Sequence, residues 1–243
     1  MIIKVCGMRE PENIHAVVAL GIDLMGFIFY PSSSRFVQMI SSRAGIIPDY
    51  SEERLIKAKH VGKKQENDVS ETVGEQLASP KRVGVFVDDM PQNIVTRVYN
   101  YALDYVQLHG NETVEMIDNL RRTIDPDIRP NIKIIKALSI SSKESLQAYK
   151  TYEGHVDMFL FDTRCESYGG SGEQFDWSVL ASYEGNTPFL LSGGIGPEDA
   201  ARVKAFSHPQ FAGVDLNSKF EISPALKDVE KLKTFIQEIR QDD

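Results

Sequence analysis

Cys6 closes the first apolar run of the chain, Ile2-Ile3-Lys4-Val5-Cys6-Gly7-Met8-Arg9, and is one of two cysteines. A thiol at the carboxyl end of a strand, just where the backbone breaks at glycine, is placed for chemistry. Cysteine is also among the most buried residue types and commonly packs as a small hydrophobe, so position alone leaves both roles open. Asp162 ends a second such run, Phe159-Leu160-Phe161-Asp162-Thr163-Arg164. Desolvation by apolar neighbours favours the neutral form of a carboxyl group, which suits a general acid; a cap or ion-pair partner is the plainer alternative.

Other chemistry-bearing residues stand at similar places. Arg35, in Pro31-Ser32-Ser33-Ser34-Arg35-Phe36, carries a planar donor fork suited to a carboxylate. Gln107 and His109, in Val106-Gln107-Leu108-His109-Gly110, and Asp215 in Val214-Asp215-Leu216 are expected to contact substrate, and Lys136 is expected beside them. For His109 a positioning or structural role fits better than proton transfer. The run Leu190-Leu191-Ser192-Gly193-Gly194-Ile195-Gly196-Pro197 reads as strand, glycine turn and helix start. Glycines let a backbone approach a ligand closely and present N–H groups to a phosphate. Asn217 and Ser218 add a second polar rim. Cys165 has no obvious partner and reads as structural or incidental.

Eight short apolar runs carry these residues: 2–6, 24–30, 82–87, 104–109, 133–138, 157–162, 188–192 and 211–217. Their hydrophobicity is continuous rather than alternating, as expected of parallel strands covered on both faces. Amphipathic segments lie between them, including 11–20, 91–102, 113–123 and 197–206, and Pro11 and Pro197 stand at helix starts. Eight βα units in 243 residues predict an α/β fold, a (β/α)8 TIM barrel forming a single domain over residues 1–243. In that fold the active site lies at the carboxyl ends of the strands, with phosphate bound after strands seven and eight. An open doubly wound sheet would favour a Gly-rich dinucleotide turn after the first strand, and no GxGxxG stands there. A polar insertion is expected at about 57–79, between strands two and three.

Composition narrows the function classes. The chain is 42% hydrophobic and 26% charged, with net charge −8 and no basic run, which argues against an extended nucleic-acid footprint. No run approaches the roughly 20 apolar residues of a membrane span, and no signal peptide precedes the first strand. A cytoplasmic protein is therefore expected, and its start at strand one and end shortly after the eighth helix lead to the expectation of a stand-alone domain, present as monomer or homodimer. The cysteines show no CxxC or metal-ligand spacing, and no metal is expected.

Taken in order, Lys4-Val5-Cys6-Gly7-Met8, Gly26-Phe27-Ile28-Phe29 with Ser33-Ser34-Arg35, Val83 to Val87, Val106 to Gly110, Phe161-Asp162-Thr163, Gly169-Gly170-Ser171-Gly172 with Phe175-Asp176-Trp177, and Leu191-Ser192-Gly193-Gly194-Ile195 resemble the phosphoribosylanthranilate isomerase family of tryptophan biosynthesis. The resemblance implies a barrel that performs a cofactor-free Amadori rearrangement of N-(5-phosphoribosyl)anthranilate to 1-(2-carboxyphenylamino)-1-deoxyribulose 5-phosphate. It implies Cys6 as general base and Asp162 as general acid, Arg35 on the anthranilate carboxylate, and Ser192, Gly193, Gly194, Asn217 and Ser218 around the phosphate. Lys219 stands where the family commonly has glycine. Other phosphosugar barrels are the alternatives: a histidine-pathway isomerase would pair two aspartates, and indoleglycerol-phosphate synthase would use lysine and glutamate. Cys6 separates this chain from both, and the presence of Cys6 and Asp162 weighs against a binding barrel that has lost catalysis.

Overall fold

The structure, a computed structural model, describes residues 1–38, 79–163 and 176–241. Eight parallel strands close into a barrel: β1 (Ile2–Val5), β2 (Leu24–Ile28), β3 (Lys81–Phe86), β4 (Tyr105–Leu108), β5 (Lys133–Ser139), β6 (Met158–Asp162), β7 (Phe189–Ser192) and β8 (Phe211–Leu216). Closure runs from β8 back to β1 in the register Ile2↔Gly213 to Val5↔Leu216. The expected eight-stranded barrel is therefore observed, each strand within two residues of the run that predicts it.

Alternation along each strand decides what the barrel mouth contains. Successive side chains point to opposite faces of a strand. On β1, Ile3 and Val5 join the apolar layer beneath the helices, while Ile2 packs against the inner cluster. That cluster, with Leu24, Val83, Ile135, Met158, Leu160 and Leu190, plugs the barrel. The same alternation turns Lys4 and Cys6 inward above it.

Outside run helices α1 (Pro11–Val18), α2 (Pro91–Tyr101), α3 (Val114–Ile124), α4 (Lys143–Leu146), α5 (Tyr149–Tyr152), α6 (Ala200–Ala205) and α7 (Val229–Arg240). Their buried faces follow helical spacing: Ile94, Val98 and Tyr101 on α2, and Ile117, Leu120 and Ile124 on α3. The expected helix at 197–206 divides into a tight turn, Pro197–Asp199, and the short α6. One element has no counterpart among the eight apolar runs: a hairpin of β9 (Glu221–Ser223) and β10 (Leu226–Lys227), which follows a turn at Ser218–Phe220. The polar insertion expected at about 57–79 falls on residues 39–78 and, apart from Ser79, lies outside the described residues, as do Cys165 and the Gly169–Gly172 segment. Among the described residues no helix is long and apolar enough to cross a membrane.

Candidate active site

The carboxyl ends of the strands surround a cavity of about 640 Å³, within the range of roughly 300–1,000 Å³ usual for small-molecule sites. Every candidate site residue taken from the sequence lines it: Cys6, Arg35, Gln107, His109, Asp162, Ser192, Gly193, Gly194, Asp215, Asn217 and Ser218. Lys136 is the correction. Its side chain is buried and tied to Glu112 Oε2 at 2.9 Å and the Gly110 carbonyl at 2.6 Å, and it does not line the cavity. Glu112 in turn accepts the backbone N–H groups of Asp88 and Gly110, so this pair braces the loops after β3 and β4. Lys219 is exposed and lies outside the cavity lining.

Cys6 sits directly past β1, 4% exposed, its N–H donating to the Leu216 carbonyl at 2.8 Å. The neighbouring strand makes room for it: a Cβ at Gly26 would stand 2.8 Å from its Sγ. Lys4, one inward position below on the same strand, is fully buried and pairs with Asp215 Oδ1 at 2.8 Å across the β1–β8 seam. Burial pushes the Cys6 thiol above its ordinary value. The ammonium groups of Lys4 and Lys227 pull against that burial, and Asp215 adds to it. For Lys4 burial works against the charge, yet Asp215 and Cys6 together outweigh it and hold the ammonium above its ordinary value.

Asp162 ends β6 in register with Ser139 and Ser192. Thr163 fixes it there, its N–H and hydroxyl both donating to the Ser192 carbonyl at 3.0 and 2.8 Å. His109 Nε2 lies 3.7 Å from Asp162 Oδ2. Cys6 and Asp162 thus stand on strands three places apart around the ring, facing one cavity.

Between them the glycine turn follows β7. Gly193 and Gly194 take φ of +98° and +73°, a region that side-chain-bearing residues avoid. No heavy atom outside the turn's immediate neighbours lies within 4 Å of a Cβ built on Gly194, so the backbone there faces open space. The Gly196 N–H is committed to Asp199 Oδ2 at 2.8 Å, so it is Gly193 and Gly194, rather than the helix start, that this turn presents to the cavity. Asp215 Oδ2 accepts from the Ser192 hydroxyl at 3.4 Å, which joins the turn to the Lys4 pair.

Arg35 meets a partner that sequence reasoning missed. Its Nε and Nη2 fork onto the Glu221 carboxylate at 2.8 and 2.5 Å. Lys227, fully buried at the side chain, donates to the same Glu221 at 2.7 Å and to Asn217 Oδ1 at 2.7 Å. Burial pushes the Glu221 carboxyl up, but the hydrogen bonds from Arg35 and Lys227 prevail and hold it below its ordinary value. Lys227 is itself lowered, burial outweighing the help of Glu221. The Nε–Nη2 edge of Arg35 thus carries Glu221, while the residue also lines the cavity. Gly7, at φ +65°, lets the arginine lie where a Cβ would come within 2.6 Å of its Cδ. Lysines inside otherwise apolar strands, as at Lys4 and Lys136, are the signal that buried carboxylate partners must exist.

Comparison with known proteins gives a consistent answer. Residues 39–238 match the family model described as N-(5'-phosphoribosyl)anthranilate (PRA) isomerase. An N-(5'-phosphoribosyl)anthranilate isomerase of Parabacteroides distasonis is 49% identical over 98% of this chain and 93% of its own. Among solved structures, a phosphoribosyl anthranilate isomerase in complex with reduced 1-(o-carboxyphenylamino)-1-deoxyribulose 5-phosphate superposes with TM-score 0.70 at 28% identity, covering 99% of this chain and 100% of that one. Monomers of the dimeric enzyme from Thermotoga maritima superpose with TM-score 0.69 at 26% identity, covering 99% of each chain.

Proposed function

The chain belongs to the N-(5'-phosphoribosyl)anthranilate isomerase family, and from that membership we propose how its barrel mouth divides the chemistry. The enzyme converts N-(5-phosphoribosyl)anthranilate to 1-(2-carboxyphenylamino)-1-deoxyribulose 5-phosphate in tryptophan biosynthesis. This is an Amadori rearrangement: a proton must reach the furanose ring oxygen, and another must leave C2.

Asp162, in its protonated form, gives its proton to the ring oxygen, and the C1–O bond breaks to leave an open-chain iminium. Cys6, as thiolate, removes the C2 proton; the C–H electron pair forms the C1–C2 double bond and neutralises the iminium nitrogen. The enolamine takes a proton at C1 while its C2 hydroxyl becomes the ketone. No atom is gained or lost, and no cofactor enters the balance. The carrying observation is the convergence of Cys6 and Asp162 on one cavity, beside a glycine turn suited to a phosphate.

The remaining residues bind. Gly193 and Gly194, with Ser192, Asn217 and Ser218, take the phosphate; Arg35 takes the anthranilate carboxylate; Gln107 and His109 contact the sugar, and Asp215 closes the wall between base and phosphate turn. The polar insertion about 57–79 is an embellishment of this single barrel domain, which works in the cytoplasm as monomer or homodimer.

The assay prepares the labile substrate in situ from anthranilate and phosphoribosyl pyrophosphate with a transferase, then follows loss of its fluorescence. Cys6→Ser and Asp162→Asn are each expected to lower turnover by roughly 100-fold or more while leaving the circular dichroism spectrum intact. Near-normal turnover in either purified variant removes that residue from its role.

A further inference from the structure

A thiol base buried at the mouth of an apolar barrel needs a compensating charge, because desolvation disfavours the thiolate. The charged groups that face Cys6 come from four directions. Lys4 is on its own strand, Asp215 on β8 and Lys227 on β10, while Arg35 follows β2; Glu221 on β9 ties the last two together. On β2 it is Gly26 that adjoins the Cys6 sulfur.

These cations are not equivalent. Arg35 and Lys227 both spend their charge on Glu221, and Lys227 also serves the Asn217 side chain. Lys4 has a different arrangement. Its ammonium is held by Asp215 at 2.8 Å, and it stands two residues before Cys6 on the same inward face of β1, whereas Asp215 reaches that face from the neighbouring strand. Lys4 has no solvent exposure and follows the alternation that turns Cys6 inward, so the ammonium cannot swing away to water.

We infer that Lys4 is a positioning residue for the base: its buried ammonium, fixed by Asp215, is the counter-charge against which the Cys6 thiolate forms. This rests on the reading of Cys6 as base. Asp215 then has a part beyond lining the cavity, since it keeps the ammonium charged where burial alone would discharge it. Lys4 does not touch the substrate. It acts by raising the fraction of Cys6 present as thiolate.

The test measures Cys6 directly. Iodoacetamide labelling of the purified protein is followed against pH, with the Cys6 peptide resolved from that of Cys165 by mass spectrometry. Lys4→Met is expected to move the labelling limb upward by about one pH unit or more, which is a loss of about tenfold in thiolate near neutrality. The acid limb of the kcat/KM profile should move with it. A merely structural lysine gives the opposite sign: loosening the barrel mouth exposes the thiol, relieves its burial and moves the limb down. A limb that stays in place or moves down overturns the inference. Lys4→Gln, whose amide still bonds Asp215, carries the same expectation should the methionine variant fail to fold. Cys6→Ser is assayed beside them: if it turns over normally, the base reading and this inference fall together. If it is inactive while the Lys4 variants leave the limb unmoved, only the role of Lys4 falls.

Discussion

At the scale of single residues, the arginine has to satisfy two carboxylates. Arg35 already gives one edge of its guanidinium to Glu221, so the proposed hold on an anthranilate carboxylate depends on the edge bearing Nη1. A guanidinium presents two such edges in one plane, whereas an ammonium is a compact point charge. Lysine at this position can pair with Glu221 or with the ligand, but not with both in forked geometry. Arg35→Lys is therefore expected to raise KM about tenfold, the loss of one charge-assisted hydrogen bond, while kcat changes little because the carboxylate is remote from C1 and C2. Steady-state kinetics decide it, and an unchanged KM takes Arg35 out of the binding site. The fork onto Glu221 was not legible in the sequence: the two residues stand 186 positions apart, and only barrel closure and the β9–β10 hairpin bring them together.

At the scale of elements, legibility follows from local physics. Strand positions could be read because a parallel strand covered on both faces is a continuous apolar run, and its end is marked by the first polar or glycine residue. Cys6, Asp162 and Ser192 were recoverable for that reason, as each closes such a run. Lys136 misled because a lysine in a strand can point to the mouth or into a brace, and the choice depends on Glu112 beyond the neighbouring strand. The β9–β10 hairpin was hidden by its length, three residues paired with two, too short for periodicity to register. Helix ends show a further choice. The exposed Ala102 caps α2 in the left-handed region, φ 47° and ψ 52°, where a Cβ costs roughly 1–2 kcal/mol. Glycine escapes that cost but gives back about 0.4–1 kcal/mol in unfolded-chain entropy. Ala102→Gly should therefore stabilise the protein by about 0.5–1 kcal/mol in urea unfolding, without change in turnover, since α2 lies outside the barrel mouth. A destabilised variant would mean that the methyl group packs against the fold despite its exposure.

At the scale of the whole molecule, the two ends of the barrel are stabilised differently. The mouth places its buried charges around the reaction, with Lys4, Asp215 and Lys227 acting on Cys6 and Glu221 paired to Lys227. The opposite end uses carboxylates as rivets. Asp157, just before β6, accepts from the Ile134 N–H at 2.8 Å, Arg121 of α3 at 2.8 Å and Lys133 of β5 at 3.0 Å. Burial pushes its carboxyl up, but these hydrogen bonds prevail and the net displacement is below its ordinary value. The folded state therefore holds the charged form more strongly than the unfolded chain does. Between the two titrations the unfolded chain binds more protons, so stability rises with pH there. The contribution is complete above the ordinary carboxylate value, near pH 4, and is lost as pH falls through the depressed folded value. Asp157→Asn removes the charge without removing the volume. It should lower Tm by roughly 3–5 °C at neutral pH, from hydrogen bonds to a charged group in a chain of this size, and the gap from the parent protein should close as pH falls below about 4. Thermal melts across that range test it. A gap that persists unchanged into acid would mean that Asp157 stabilises by shape rather than by charge. Turnover at neutral pH and moderate temperature should be unaffected, because the rivet and the thiol lie at opposite ends of the barrel.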